Sequence, residues 1–161
     1  MSQGPNKDTG TKLIASNPSR GNFTVQEVVE AGIVLTGTEV KSLREQSPNL
    51  KDSYVEVRSQ GKSLEAWLLN THIAPYKHGN IWNHEPLRRR KLLLHSHQIQ
   101  KIYGAVTREG MTVIPTRMYF LKGKVKIELA LAKGKKKHDK RQSIKGKSAD
   151  REISKAMKRK R

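Results

Sequence analysis

The sequence predicts a mainly β protein: five or six short strands and two helices, suggesting a small closed β-barrel, followed by a basic tail that stays disordered until bound. Three observations carry this. Residues 23–132 hold 46 apolar residues in 110, enough for one core, in β-branched and alternating runs. Residues 1–22 hold four apolar residues among Ser, Gly, Asn, Pro and Thr, and read as a flexible N-terminal segment. Residues 133–161 hold fourteen Lys/Arg, three acids and five apolar residues, a net +11 in 29 positions. Such a tail buries too little apolar surface to offset chain entropy and self-repulsion. An open sheet fits the same strand pattern.

The elements follow in order. Phe23 to Leu35 is rich in β-branched residues and reads as a strand, bent at Gly32. Thr36-Gly37-Thr38-Glu39 has the spacing of a capping box, and Leu35 with Val40 that of a hydrophobic staple. The helix they open ends near Gln46, because Pro48 disfavours helix at Ser47. Ser53–Arg58 and Ser63–Ile73 form a hairpin across Ser59-Gln60-Gly61-Lys62. Residues 74–90 are a long loop with Pro75, Gly79, Asn80, Asn83 and Pro86 as breakers. Ile99, Ile102, Tyr103 and Val106 fall on one face of a second helix. Thr112–Leu121 and Lys124–Ala132 make another hairpin about Lys122-Gly123. In its second arm Val125, Ile127, Leu129 and Leu131 alternate, which throws Lys124, Lys126 and Glu128 onto the solvent face. In the tail, residues 148–158 have helix character: Ile153, Ala156 and Met157 share a face, with acids early and cations late.

Charge narrows the function. The 161 residues carry 33 Lys+Arg against 14 Asp+Glu, a net +19. Such a chain repels itself and is suited to a polyanionic partner. No apolar run is long enough to span a membrane, and the opening MSQGPNKDTGTK lacks the apolar run of a signal peptide. With no cysteine there is no disulfide framework, thiolate zinc site or thiol nucleophile. A cytoplasmic protein is the expectation.

Chemistry-bearing motifs are absent. There is no G-x-S-x-G, no dinucleotide fingerprint and no phosphate-binding loop. His95 and His97 could share a strand face, yet no third ligand stands at a recognisable spacing, so neither metal nor cofactor is expected. The basic residues say more. Arg88-Arg89-Arg90-Lys91 follows a loop carrying Tyr76, His78, Asn80, Trp82, Asn83 and His84. Cations beside planar groups suit RNA: they neutralise phosphates and offer surfaces on which unpaired bases stack. The alternative is that Tyr76 and Trp82 cap the open end of a barrel.

Several segments then match one family together. Glu30-Ala31-Gly32-Ile33-Val34-Leu35-Thr36-Gly37-Thr38-Glu39-Val40-Lys41-Ser42-Leu43-Arg44 is one. Asn49-Leu50-Lys51-Asp52-Ser53-Tyr54-Val55, His84-Glu85-Pro86-Leu87-Arg88 and Arg90-Lys91-Leu92-Leu93-Leu94 continue it. Ala130-Leu131-Ala132-Lys133-Gly134-Lys135-Lys136 and His138-Asp139-Lys140-Arg141 close it. In order and spacing, over roughly residues 23–145, they resemble SmpB, the SsrA-binding protein family of bacteria. The resemblance implies an OB-fold-like barrel with two or three flanking helices, and transfer-messenger RNA as partner, bound at its tRNA-like end. It implies delivery to stalled ribosomes for trans-translation, in which the nascent chain is tagged for proteolysis. The small-subunit decoding centre is then a second partner. Alanyl-tRNA synthetase and elongation factor Tu act on the same RNA, and the protein, a monomer, catalyses nothing. A generic basic OB-fold RNA-binding or ribosomal protein is the alternative that composition alone allows.

Site residues carry over one at a time. The family's acid before Ala-Gly lands on Glu30, its RNA-contacting leucine on Leu93 and its strand lysine on Lys124. From the residues alone, Leu93 inside Leu92-Leu93-Leu94 reads as core. Asn17 matches an N-terminal asparagine, and Lys133, Lys135 and Lys136 fall in the basic run after the last strand. His138, Asp139, Lys140 and Arg141 match the tail segment that the family places in the decoding centre, with His138 a stacking partner for a base. Two stretches depart from the family pattern: Pro18–Thr24, and Gly146-Lys147-Ser148-Ala149 where a bulky residue is usual.

Overall fold

The structure, a computed structural model, describes residues 10–159. Seven strands form one antiparallel sheet: β1 (Thr11–Ser16), β2 (Phe23–Ile33), β3 (Tyr54–Gln60), β4 (Ser63–Leu69), β5 (Arg90–Leu93), β6 (Thr112–Leu121) and β7 (Lys124–Gly134). Their order is β1-β6-β7-β2-β5-β4-β3, and β3 packs back against β6. Helix α1 (Gly37–Glu45) follows β2, α2 (Ser96–Glu109) follows β5, and α3 (Lys137–Arg159) forms the tail. The predicted mainly β fold with flanking helices is what is observed. Among the described residues no helix is long and apolar enough to cross a membrane.

Alternation builds the core. In β2 and β7, Ala31, Ile33, Val125, Ile127, Leu129 and Leu131 turn inward against Leu68, Leu92, Met118 and Val113. Ile99, Ile102 and Ala105 are the buried residues of α2, while Tyr103, expected on that face, is 42% exposed. The β6–β7 hairpin turns through Lys122 (φ 49°) and Gly123 (φ 77°), a two-residue loop whose twist suits the flanking strands. α1 begins as its spacing predicts: the Thr36 N–H donates to Glu39 Oε2 at 2.9 Å.

Three stretches carry more structure than expected. Thr11–Ser16, within the segment 1–22 expected to be flexible, pair with β6 and so satisfy an edge that would otherwise be unpaired. The loop over 74–90 is broken by a 3-10 turn at Asn80–Trp82 and ends in β5. The tail helix, expected over 148–158, begins at Lys137 and runs through Gly146, whose cost in a helix is about 1 kcal/mol. Ile153 and Met157 lie 53% and 70% exposed on it.

Candidate nucleic-acid interface

Strand register gathers three of the candidate residues. Glu30 and Gly32 point outward from β2, alternating with the inward Ala31 and Ile33. Gly32 pairs with Leu93 of β5 on one side and with Lys126 of β7 on the other. Leu93 is 56% exposed and Leu92 is 2% exposed, so the core reading of Leu93 is overturned. A four-residue strand obeys the period of two, which sends Arg90 and Leu92 in and Lys91 and Leu93 out. Gly32 makes room for this side chain: a Cβ there would stand 3.2 Å from Leu93 Cβ. Leu93 divides two shallow grooves. One is lined by Glu30, Lys91, Gln98 and Lys126, the other by Leu35, Val40, Lys124 and Lys126. An exposed leucine thus sits between a carboxylate and a row of lysines.

The Glu30 carboxylate is held in place. Glu30 lies opposite Glu128, and the Tyr119 hydroxyl of β6 donates to Glu30 Oε2. Burial, then the bond to Glu30, pushes the Tyr119 phenol well above its ordinary range, so it remains a donor. Arg117 covers the Tyr119 ring with Cζ 5.7 Å from its centroid, and its Nη2 pairs with Glu128 Oε2 at 2.7 Å. Thr116, at the irregularity in β6, donates to Glu128 Oε1 at 2.6 Å. Glu128 is thereby occupied by its own sheet, while Glu30 keeps an oxygen facing solvent.

Asn17 lies against β6, its N–H donating to the Thr116 carbonyl at 2.8 Å. It is 6% exposed, donates from Nδ2 to the Pro115 carbonyl at 2.7 Å and accepts the Ser19 N–H at 2.8 Å. Its side chain caps the turn at Pro18–Asn22 and ties it to β6. Lys133 and Lys136 are exposed at the end of β7, and the Lys135 N–H donates to the Asn22 carbonyl at 3.0 Å. Lys140 and Arg141 lie on the first turns of α3; the side chains of His138 and Asp139 are outside the described ones.

The cation run at 88–91 is divided by the fold. Arg90 is fully buried and donates to Glu39 Oε1 at 2.8 Å, the Thr71 carbonyl at 2.7 Å and the Pro86 carbonyl at 3.0 Å. Arg88 donates to Glu39 Oε2 at 2.8 Å, and Lys91 to Glu65 Oε1 at 2.8 Å. The run is therefore not one RNA-facing cluster. Arg88 and Arg90 neutralise Glu39, the buried carboxylate that also caps α1. His84 is likewise structural: its ring bonds Thr38 Oγ1 at 2.9 Å and the Ile73 carbonyl at 3.0 Å. His95 and His97 do not share a strand. His95 caps α2 and the two rings stack 5.6 Å apart. Among the described residues no three His, Asp or Glu side chains gather as a metal set.

A basic antiparallel sheet presenting lysines around an apolar residue and a fixed acceptor defines a class, the β-sheet nucleic-acid-binding module. The comparisons give the particular family. The family model for SmpB protein matches residues 14–159, and the chain belongs to that family. It is 50% identical over 148 residues to an SsrA-binding protein of Chlamydia caviae, covering 92% of this chain and 96% of that protein. An SsrA-binding protein of Syntrophobacter fumaroxidans is 51% identical over 158 residues, covering 98% and 96%. A solved structure described as "tmRNA-SmpB: a journey to the center of the bacterial ribosome" superposes with a TM-score of 0.62 and 40% identity, over 78% of this chain and 86% of that one.

Proposed function

We propose that this protein binds the tRNA-like end of transfer-messenger RNA and delivers it to stalled ribosomes for trans-translation. What carries the reading is the family match over residues 14–159, which spans the sheet and the tail alike. We infer also that the curled sheet is an OB-fold barrel, and that the exposed face around Leu93 is its RNA surface. Leu93 lies against a sugar or base face. Lys124 neutralises phosphate, as do Lys133, Lys135 and Lys136. Glu30 accepts from a base amino group or a 2′-OH. Asn17 belongs to the RNA-binding set as well, held against β6 at the turn that leads into β2. The basic tail, residues 133–161, forms a separate functional part, disordered when free and helical in part on the ribosome, with α3 the form it takes in the small-subunit decoding centre. There His138 stacks on a base, Lys140 and Arg141 meet phosphates, and Asp139 orients its basic neighbours. Alanyl-tRNA synthetase and elongation factor Tu act on the same RNA. The protein works in the cytoplasm as a monomer and catalyses nothing.

Gel-shift competition tests the binding. At physiological salt the tRNA-like RNA should compete far better than an equal mass of random single strand; equal competition would reduce the protein to a generic basic RNA binder. A chain ending at Lys136 tests delivery, because it keeps all of β7 and the Lys135–Asn22 bond. It should bind the RNA and fail to tag stalled chains. Normal tagging by that truncation would refute the role given to the tail.

A further inference from the structure

The loop between β4 and β5 carries a feature that the Leu93 face does not use. Ile81 and Trp82 stand 86% and 82% exposed, so Trp82 caps nothing. The loop that presents them is firmly held. Asn83 accepts the Tyr76 N–H at 2.9 Å and donates to the Tyr76 carbonyl at 2.7 Å. Gly79 approaches that amide so closely that a Cβ would fall 2.7 Å from Asn83 Nδ2. His84, next in the chain, is fastened to Thr38 and to the Ile73 carbonyl.

The loop that carries the indole also carries cationic and aromatic groups. Lys41 of α1 sets its Nζ 5.7 Å from the Tyr76 ring centroid, Lys77 is exposed beside it, and His78 meets Tyr76 edge-on at 5.4 Å. Of the four cations in residues 74–90, Arg88 and Arg90 are paired with Glu39, which leaves Lys77 and Arg89 beside one acid, Glu85. A rigidly presented indole gains nothing from its own fold, and a partner that covers it recovers the hydrophobic contact. Cations around it select a polyanion, and a planar ring selects unpaired bases within that polyanion.

Helix α1 separates this loop from the Leu93 face. Val40 lines the groove with Leu93 and Lys124. Thr38 and Ser42 hold the loop instead, through His84 and the Ala74 carbonyl. At 3.6 residues per turn these two side chains point about 160° away from Val40. A helix with its side chains is roughly 10 Å across, so the two surfaces lie on opposite flanks of α1.

We propose that Trp82 is a stacking platform for an unpaired base of ribosomal RNA, with Lys41 and Lys77 on the adjoining phosphates. This rests on the delivery reading above. The test uses the full-length chain with Trp82→Ala, Trp82→Phe and Trp82→Leu. Each is measured by gel shift on the tRNA-like RNA, and as the protein–RNA complex by co-sedimentation with ribosomes stalled at a message end. Trp82→Ala should leave the gel shift within about twofold and weaken ribosome association about tenfold. Trp82→Phe should restore most of that association and Trp82→Leu should not. Equal co-sedimentation of Trp82→Ala and the parent overturns the proposal. So does a weakened gel shift, which would give the base to the tRNA-like RNA. Rescue by leucine as good as by phenylalanine would replace the base with an apolar protein contact. If the unsubstituted complex itself does not associate with ribosomes, the delivery reading fails and this proposal fails with it.

Discussion

The Tyr119 hydroxyl donates to the Glu30 carboxylate across the width of a strand, since β6 and β2 both pair with β7 and not with each other. The bond leaves one Glu30 oxygen for an outside donor and fixes where it points. Tyr119→Phe removes a single hydroxyl and keeps the buried ring. It should weaken RNA binding about 2- to 10-fold, the value of one hydrogen bond. In a Glu30→Ala background the same change should add almost nothing, and a double-mutant cycle on RNA affinity reads the coupling. Additive losses would mean that Tyr119 acts without Glu30.

Leu93→Ala separates surface from core. At 56% exposure its loss should shift stability by no more than about 0.5 kcal/mol, whereas Leu92→Ala, at 2% exposure, should cost roughly 2–5 kcal/mol. RNA affinity should fall for Leu93→Ala in a protein that melts normally. Thermal denaturation and gel shift on the same preparations decide it.

Glu39 predicts the acid behaviour of the fold. Burial alone would raise its pKa. The bond from Arg88, the Thr36 N–H and the charges of Arg90 and Arg88 outweigh burial and hold it below the usual carboxylate range. A lowered folded-state pKa means stability that is present at neutral pH and lost as pH falls through the folded value. Glu39→Gln should flatten that acid limb. Glu39→Ala, which strands Arg90 in the core, should cost about 3–5 kcal/mol by urea titration at pH 7.

Salt should weaken binding steeply. If the lysines around Leu93 and at the end of β7 engage ~4–6 phosphates, the slope of log affinity against log salt should be near −3 to −5. A flat response would remove electrostatics from the account.

Much of the sheet was legible because it is written in local patterns. Lys122-Gly123 and Gly61-Lys62 mark hairpins, alternation in β7 puts Lys124 outside, and Thr36-x-x-Glu39 opens α1 where it should. What was not legible depends on partners far along the chain. Glu39 looks like a cap until Arg90, 51 residues later, is brought to it, and Arg90 looks like one of four surface cations. Leu93 hides among three leucines; only the strand boundary at Arg90 assigns the parity. Tyr119 and Glu30 lie 89 residues apart, with no spacing to announce them. Asn17 could be matched by resemblance, but its cap on the Pro18 turn needs β6 in place.

The strand order also sets a timetable for making the molecule. β1 and β2 leave the synthesising ribosome about a hundred residues ahead of their partners β6 and β7. At ~5–20 residues per second, these N-terminal strands wait roughly 5–20 seconds with open edges. The β3–β4 hairpin, closed across Gly61-Lys62, forms as soon as it emerges and supplies the one early paired template. Four of the seven described strands therefore assemble only after β6 and β7 have emerged, so a chain cut short before β7 is left with β2 lacking its longest partner.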